Sequence, residues 1–225
     1  MLSRISLVRH GESEGNIDED KYLTIPDHRI RLTEEGLEQS LNAGTNYKGR
    51  MLTSRDSGAN KIAIYVSPYR RAKQTYMQFR KGFGDAFEDN FEAPKIDMRI
   101  REREWGDYQS YDREKVKAIK ERFGSYFYRI PNGESGADAY DRVSDFLSTV
   151  FRHDHEQDHI MLFSHGDYIK AFVMRFFHKD YSWFEDNRVI GNAEIVTIEK
   201  VAGQWIANYN GEVLNTKGRS YELKC

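Results

Sequence analysis

Three short apolar runs predict buried β-strands in this chain. They cover residues 5–8, 62–66 and 160–163, and each is rich in β-branched or large apolar side chains. Runs of this length without polar alternation are typical of strands that are covered on both faces. The first and third runs end on a similar pattern, because His10-Gly11 and His165-Gly166 each follow within two residues. We therefore expect two histidines at the carboxyl ends of two buried strands.

Helical patterns occupy the intervals between these strands. Thr33 is a candidate N-cap, since two acidic residues follow it in the first turn, where negative charge suits the helix dipole. Ser135 and Asp138 have the spacing of a capping box before an apolar stripe. Helices are also expected over residues 69–80 and 170–177. Strands separated by helices predict an α/β fold, in which a mainly parallel central sheet is covered by helices on both faces.

The remaining segments predict loops, a lid and a terminal hairpin. Twenty polar, irregular residues inside a compact domain suggest a functional loop. An aromatic and basic stretch is expected to lie over the site as helix plus irregular chain. The expectations are a functional loop over 12–31, a loop over 82–93, a short strand over 96–100, a lid over 107–132, a hairpin at the sheet edge from strands 193–198 and 204–209, one domain over 1–210, and a polar, mobile tail over 211–225.

Composition narrows the class of protein. The chain has 225 residues, is 39% hydrophobic and has a formal net charge of −2, as expected for a soluble globular domain. Since no overall basic field is present, neither nucleic acid nor an anionic membrane is an expected partner. The single cysteine, Cys225, excludes an intramolecular disulfide, and no apolar run approaches the ~20 residues of a membrane span. We expect a cytoplasmic protein.

We expect five side chains to converge at the carboxyl edge of the sheet, where ligands bind in open α/β folds. They are those of Arg9, His10, Arg71, Glu102 and His165. His10 is a candidate nucleophile, because a neutral imidazole nitrogen can attack phosphorus once a backbone carbonyl fixes its tautomer. The alternative is a strand-end histidine bonded to loop backbone. His165 repeats the arrangement of His10 and is expected to bond a phosphoryl oxygen, the alternative being a core histidine.

Arginine and carboxylate side chains complete this hypothesis. Arg9 and Arg71 are the candidate phosphate-binding pair, since guanidinium groups match phosphate oxygens two at a time. Arg70 is the structural control, because at this spacing only one of the two neighbours should point inward. Glu102 is the candidate general acid, with Glu104 as its rival. For all of these residues the alternative is a surface charge or ion-pair partner.

Several weaker candidates complete the set. Ser13 and Asn16 are candidates to donate to phosphate from the first loop, although for isolated polar loop residues a role in forming the turn is favoured. His28 and Arg101 are candidates for reading an anionic part of the substrate. His153, His155 and His159 lie among acidic residues; a solvated turn is favoured there over a metal site, and no metal is expected.

Taken together, the ordered motifs resemble the histidine phosphatase superfamily, in its phosphoglycerate-mutase-like branch. The matching segments are Leu7-Val8-Arg9-His10-Gly11-Glu12-Ser13 with Asn16, Leu32-Thr33-Glu34-Glu35-Gly36 with Gln39, Ser67-Pro68-Tyr69-Arg70-Arg71-Ala72-Lys73-Gln74-Thr75, Arg101-Glu102 before Gly106, Gly133-Glu134-Ser135 and Ser164-His165-Gly166. The resemblance implies that His10 is phosphorylated and that His165 binds the phosphoryl group. It selects Arg71 over Arg70 and Glu102 over Glu104, and it implies a three-layer α/β/α fold without a metal or other cofactor.

The resemblance leaves the reaction between hydrolysis and isomerisation. Mutases of this family carry a proline cluster in a longer segment before Gly-Glu-Ser, whereas this chain has only Pro131 there. Pro26-Asp27-His28 and the segment 123–135 look most like eukaryotic broad-range acid phosphatases. The expected function is therefore metal-independent hydrolysis of a phosphorylated small molecule. The alternatives are a phosphoglycerate mutase with the same chemistry and a non-catalytic phospho-ligand-binding adaptor.

Overall fold

A seven-stranded mixed sheet forms the centre of the molecule. The computed structural model describes residues 2–53, 61–109, 113–152 and 158–216. Within them the strand order is β3-β2-β4-β1-β5-β6-β7. The strands are β1 (Arg4–Arg9), β2 (Ala63–Val66), β3 (Lys95–Ile96), β4 (His159–Ser164), β5 (Ile195–Val201), β6 (Gln204–Tyr209) and β7 (Glu212–Asn215).

The four strands β1 to β4 are parallel, and β5 to β7 extend the sheet in antiparallel pairs. The central pair is β1 with β4, in a register that sets Arg9 opposite Ser164. Each of these strands is followed directly by its histidine. The register therefore brings His10 and His165 out of the sheet side by side, as the two similar strand-end patterns predict.

Helices cover both faces of the sheet, which confirms the predicted α/β fold. Along β4, Ile160 and Leu162 belong to the core on one face, whereas Met161 and Phe163 belong to the core on the other. The helices are α1 (Glu14–Ile17), α2 (Lys21–Thr24), α3 (Glu34–Thr53), α4 (Arg70–Phe83), α5 (Phe87–Asn90), α6 (Arg113–Phe123), α7 (Gly136–Arg152), α8 (Gly166–Phe176) and α9 (Tyr181–Asp186). Helices α7 and α8 pack in the first core, and α3 and α4 pack in the second.

Two predicted helix starts are confirmed by their caps. The Thr33 hydroxyl accepts from the backbone N–H of Gly36 at 3.0 Å, which starts α3. The Asp138 carboxylate accepts from the backbone N–H of Ser135 at 2.7 Å, and the Ser135 hydroxyl accepts from the backbone N–H of Asp138 at 3.2 Å, which starts α7. Both caps satisfy amides that a helix leaves without partners in its first turn.

Several local predictions are corrected. The strand expected over 96–100 is only the two residues of β3, because the Asp97 carboxylate accepts from the backbone N–H of Arg99 at 2.8 Å and starts a short 3₁₀ helix. The loop expected over 82–93 contains α5, where the rings of Phe87 and Phe91 stack at 4.2 Å. The functional loop over 12–31 contains α1, α2 and a 3₁₀ turn. The lid over 107–132 contains α6, while residues 110–112 lie outside the described part.

The predicted tail from residue 211 is corrected over its first residues. Strand β7 pairs with β6, and Leu214 in it is 1% exposed. The β5–β6 hairpin consequently does not form the sheet edge. Trp183 Nε1 donates to the Glu212 carboxylate at 2.8 Å, which ties β7 to α9. Residues 217–225, including Cys225, lie outside the described residues, as do His153 and His155.

A very close backbone contact joins α3 to the loop after β1. A Cβ atom placed on Gly36 would lie 1.9 Å from the carbonyl oxygen of Glu12, and one on Gly11 would lie 2.3 Å from the carbonyl oxygen of Gly36. Only glycine fits at such distances. The first turn of α3 therefore rests directly against the backbone that follows His10.

Candidate active site

The carboxyl ends of β1 and β4 form the floor of a cavity of about 610 Å³. Arg9, His10 and Arg71 line this floor. His10 is 3% exposed, His165 beside it is fully buried, and their ring centroids are 5.2 Å apart. A cavity of this size accommodates a small organic ligand as well as a phosphate group.

His10 is held as a neutral imidazole with one defined tautomer. Its Nδ1 donates to the carbonyl oxygen of Gly11 at 2.7 Å, so the proton lies on Nδ1. Burial lowers the pKa of His10 well below its usual value, and the nearby charges of Arg71 and Arg9 lower it further. Its Nε2 therefore carries a lone pair, which accepts from Arg71 Nε at 3.3 Å.

His165 has the opposite arrangement of partners. Its Nε2 is 2.7 Å from the hydroxyl of Ser67, which follows β2. When this hydroxyl donates to Nε2, the ring proton lies on Nδ1, which is buried without a hydrogen-bond partner among the described residues. Burial lowers the pKa of His165, and Arg71 and His10 contribute in the same direction. A neutral ring with a buried N–H to donate suits an anion beside His10.

The arginine pair supplies positive charge at the same place. Arg71, in the first turn of α4, is 2% exposed, whereas its neighbour Arg70 is exposed. Of the two, Arg71 therefore points inward, as expected. Arg71 Nη1 donates to the carboxylate of Asp27 at 2.5 Å and to its carbonyl oxygen at 2.8 Å. Arg9 Nη1 donates to the carbonyl oxygen of Ile190 at 2.5 Å, while Arg9 Nε is buried without a partner among the described residues.

Glu102 differs sharply from its rival Glu104. Glu102 is 8% exposed, and its carboxyl accepts from the backbone N–H of Arg103 at 2.9 Å and of Tyr168 at 3.3 Å. Burial, and next the negative charge of Asp167, raise the pKa of Glu102 to about 7. The side chain of Glu104 is 41% exposed and accepts from the Tyr69 hydroxyl at 2.8 Å. Both line the cavity, and the buried carboxyl of Glu102 is suited to hold a proton near neutral pH.

The first loop contributes Asn16 to the cavity wall, with Ser13 behind it. The Asn16 carbonyl oxygen accepts from the backbone N–H and the hydroxyl of Ser13, both at 3.0 Å, and from Asn192 Nδ2 at 3.1 Å. Its oxygen is thus occupied, and its amide nitrogen is the group left to donate. Ser13 is fully buried and lies behind Asn16 as part of a capping box, outside the residues that line the cavity.

The structure does not bring His28 and Arg101 to the cavity lining. His28 is exposed and its ring lies 6.4 Å from that of Tyr69. The Arg101 guanidinium donates to Glu104 at 2.9 Å and to Glu134 at 2.7 Å. Its charge is therefore already paired within the protein. Its position does not support the expected role of reading the substrate.

Four residues that hydrogen-bond to the site have no predicted role in the sequence: Ser67, Thr75, Asp27 and Asn192. Ser67 follows a buried strand, so the signal that identified His10 also applies to it. Thr75 accepts from the backbone N–H of Gly11 at 3.0 Å and lies one turn after Arg71, on the same face of α4. Asp27 begins a short 3₁₀ helix and Asn192 lies in a turn, and their contacts with Arg71 and Asn16 have no local sequence signal.

Two negative observations apply to the described residues only. No group of three or more His, Cys, Asp or Glu side chains there is arranged to hold a metal ion. His159, from the acidic turn, lies in β4 and its Nε2 is 2.9 Å from the Ser6 hydroxyl. Over the same residues, every helix is too short or too polar to span a bilayer.

Comparison with known proteins gives consistent results. The family model of the histidine phosphatase superfamily (branch 1) matches residues 5–211. The phosphoglycerate mutase-like protein AT74 of Arabidopsis thaliana is 37% identical over 98% of this chain and 73% of its own length. The broad-range acid phosphatase DET1 of Saccharomyces cerevisiae is 27% identical over 87% of this chain and 84% of its own.

A solved structure supports the same fold. The mycobacterial glucosyl-3-phosphoglycerate phosphatase complexed with VO3 superposes with a TM-score of 0.67, at 19% identity, over 92% of this chain and 97% of that chain. The match by a family model over most of the chain, together with relatives that are phosphatases or mutase-like, establishes the general class of enzyme. The chain belongs to the histidine phosphatase superfamily, branch 1.

Proposed function

We propose that the chain hydrolyses phosphomonoesters of small molecules through a phosphohistidine on His10, with Glu102 as the proton donor and without a metal. The observation that carries this proposal is the state of His10. His10 is buried and neutral. Its Nδ1 proton is donated to the carbonyl oxygen of Gly11, and its Nε2 lone pair faces the guanidinium of Arg71. A nucleophile at phosphorus needs such a lone pair beside positive charge.

Substrate binding would use the cations on the floor of the cavity. A phosphate dianion carries more charge than the single Asp27 carboxylate that engages Arg71 in the free protein, so it competes favourably for that guanidinium. Two further N–H donors are Nε of Arg9 and Nδ1 of His165, which have no hydrogen-bond partner within the part of the chain that the structure describes. These groups neutralise the phosphoryl oxygens without a metal ion.

In the first step, His10 Nε2 attacks phosphorus and the bond between phosphorus and the ester oxygen breaks. Glu102, protonated below its pKa of about 7, gives its proton to the leaving oxygen, and the alcohol departs. The products are phosphorylated His10 and the Glu102 carboxylate. The Gly11 carbonyl continues to accept from Nδ1 and stabilises the positive charge on the ring.

In the second step, water replaces the alcohol. Glu102 takes a proton from the water, whose oxygen attacks phosphorus, and the bond between phosphorus and Nε2 breaks. Inorganic phosphate leaves, His10 returns to its neutral form and Glu102 is again protonated. The two steps together consume one ester and one water and produce one alcohol and one phosphate.

A phosphoglycerate mutase is the second candidate, because the relatives at 37% and 40% identity are described as phosphoglycerate mutase-like. That reaction uses the same first step and returns the phosphoryl group to a second hydroxyl. The single proline in the lid segment, in place of a proline cluster, favours water as the acceptor. A non-catalytic adaptor is disfavoured because His10 and Glu102 are both retained in reactive states.

The experiment is an assay of phosphate release from a panel of phosphomonoesters, with a chelator present and absent. The purified chain should release phosphate equally under both conditions, and a brief pulse of ³²P-labelled ester should label the protein with an acid-labile phosphate. The His10→Ala variant should show neither turnover nor label. Near-normal hydrolysis by this variant would refute the proposal.

The same preparation distinguishes the alternatives. With 3-phosphoglycerate, isomerisation that far exceeds phosphate release and depends on 2,3-bisphosphoglycerate would favour the mutase. Binding of inorganic phosphate with no turnover on any ester would favour the adaptor. Phosphate release that needs an added metal ion would contradict the metal-independent mechanism.

A further inference from the structure

We propose that Glu134 and Arg142 are positioning residues for the proton donor, because together they fix the backbone on both sides of Glu102. This inference rests on the proposed function, since it assumes that Glu102 donates the proton. Residues 102–105 belong to neither a helix nor a strand, so no regular hydrogen-bond ladder holds them. The direction of a catalytic side chain on such a segment depends on other contacts.

Glu134 and Arg142 form a two-point ion pair. Arg142 Nε donates to Glu134 Oε1 at 3.0 Å, and Arg142 Nη2 donates to Glu134 Oε2 at 2.8 Å. The two side chains are only 13% and 14% exposed. Arg142 lies on α7, a helix of 17 residues, so the pair has a rigid base.

The remaining donors of Arg142 grip the segment that carries Glu102. Nη1 donates to the carbonyl oxygens of Arg99 at 2.5 Å and Arg101 at 3.1 Å. Nη2 also donates to the carbonyl oxygen of Glu102 itself at 3.3 Å. One guanidinium therefore holds three carbonyls that lead up to and include the proton donor.

Glu134 holds the same segment from the other side of Glu102. Its Oε2 accepts from the backbone N–H of Glu104 at 3.0 Å, and its Oε1 accepts from Arg101 Nη2 at 2.7 Å. Among the described residues, the Glu102 carboxyl accepts its hydrogen bonds through Oε1, from two backbone amides. Its aim toward the cavity is consequently set by the backbone, which the Glu134–Arg142 pair fixes.

Positioning of an acid has a specific kinetic signature. A misplacement of about 1 Å can cost on the order of 10²-fold in rate. Protonation matters most when the leaving group is a poor one, such as an alkoxide, and little when it is a stable phenolate. A misaligned donor therefore slows alkyl phosphates selectively, whereas general damage to the fold slows every ester alike.

The test measures kcat/KM for glycerol phosphate and for 2,4-dinitrophenyl phosphate in Glu134→Gln. The amide places an N–H donor where two donors from the protein already point, so it breaks the pair with almost no change in volume. We expect a fall of roughly 10- to 100-fold on the alkyl ester and no more than about 3-fold on the dinitrophenyl ester, within the range of general acid catalysis. Arg142→Lys, which keeps the charge and loses the fork, should show the same selectivity.

Two further variants make the result decisive. Asp145→Asn is the matched control, since Asp145 also lies on α7 and binds Arg99 at 3.1 Å, but its side chain is 67% exposed and is joined to the segment 99–104 through Arg99 rather than through residues 101–104. It should leave both esters unaffected. Glu102→Gln sets the scale, and should show the largest selective loss on the alkyl ester.

The outcomes separate the two levels of the argument. An equal loss on both esters in Glu134→Gln and Arg142→Lys, beside a selective loss in Glu102→Gln, would overturn the positioning inference and leave the proton donor in place. An unselective Glu102→Gln variant would overturn the donor role, and the positioning inference with it. Thermal unfolding of each variant shows that the comparison is made on folded protein.

Discussion

The segments around His10 and His165 have similar sequences and different chemistry. Each histidine follows a buried strand and precedes a glycine, and the two parallel strands bring the ring centroids within 5.2 Å of each other. In the first, the chain's own Gly11 carbonyl fixes the proton on Nδ1 and leaves Nε2 as the reactive nitrogen. In the second, the hydroxyl of Ser67, which follows β2, lies 2.7 Å from Nε2, and Nδ1 has no hydrogen-bond partner among the described residues.

The difference shows that a local motif places an imidazole, while its partner decides what the ring can do. A lone pair at Nε2 suits a nucleophile, and a proton at Nδ1 suits a group that stabilises charge on phosphoryl oxygen. The first partner is one residue away in the chain and the second is 98 residues away. Roles in a site of this kind are therefore set by tertiary contacts as much as by the motif.

The sharpest test of this contrast is the same substitution at both positions. His10→Gln removes the proposed nucleophile, and we expect turnover to fall by about 10⁴-fold or more, with no labelled phosphoenzyme. Rapid-quench measurement of labelled protein together with steady-state phosphate release provides the readout. A labelled intermediate in this variant would mean that another residue is the nucleophile.

A smaller loss is expected for His165→Gln. This change removes a donor to the phosphoryl group, a loss that typically costs about 10²- to 10³-fold in kcat. Labelling of His10 should persist, although it should form more slowly. If both variants lost the label completely, the two histidines would have the same role and the contrast would fail.

The pH profile tests whether both rings are neutral. Since the pKa values of His10 and His165 are lowered, kcat/KM should show no acid limb near 6.5 after correction for ionisation of the ester. Glu102 must be protonated to donate, and its pKa is raised to about 7, so kcat/KM should fall about 10-fold per pH unit above pH 7. An activity that rises through pH 6.5 would indicate that one histidine is charged in the free enzyme.

The smallest expected effect is that of Ser67→Ala. Without the hydroxyl, the proton of His165 is no longer confined to Nδ1, and we expect a loss of roughly 3- to 10-fold, equivalent to about 1 kcal/mol, as for one hydrogen bond. Ser6→Ala is the matched control, because Ser6 is also fully buried and bonds a histidine, His159, at 2.9 Å. Ring ¹⁵N shifts of His165 should move in the first variant and stay unchanged in the second.

Much of the fold was predictable because its signals are local. The apolar runs over 5–8, 62–66 and 160–163 all became buried strands, and the caps at Thr33 and Ser135 start helices. The errors lie where tertiary contacts override composition. Strand β7 has only two apolar residues between two polar ones, and it forms because Leu214 is buried on the sheet and Glu212 binds Trp183 of α9.

The site divides along the same line. The residues at strand ends were predictable, because a polar side chain that directly follows a buried strand lies at the carboxyl edge of the sheet, where ligands bind. Asp27 and Arg142 were not predicted, because their partners are 44 and about 40 residues away and no spacing rule connects them. Arg101 is a candidate for reading a substrate anion in the sequence, whereas the structure pairs it with Glu104 and Glu134.

The close approach of Gly36 to Glu12 limits which residues position 36 can tolerate. Gly36 lies outside the cavity lining, yet any side chain there would push the backbone after His10 out of register with the floor. Substitutions in the loops that would meet the organic part of the ester could change the substrate specificity. We therefore expect a side chain at Gly36 to impair the proposed reaction, although this position lies outside the cavity lining.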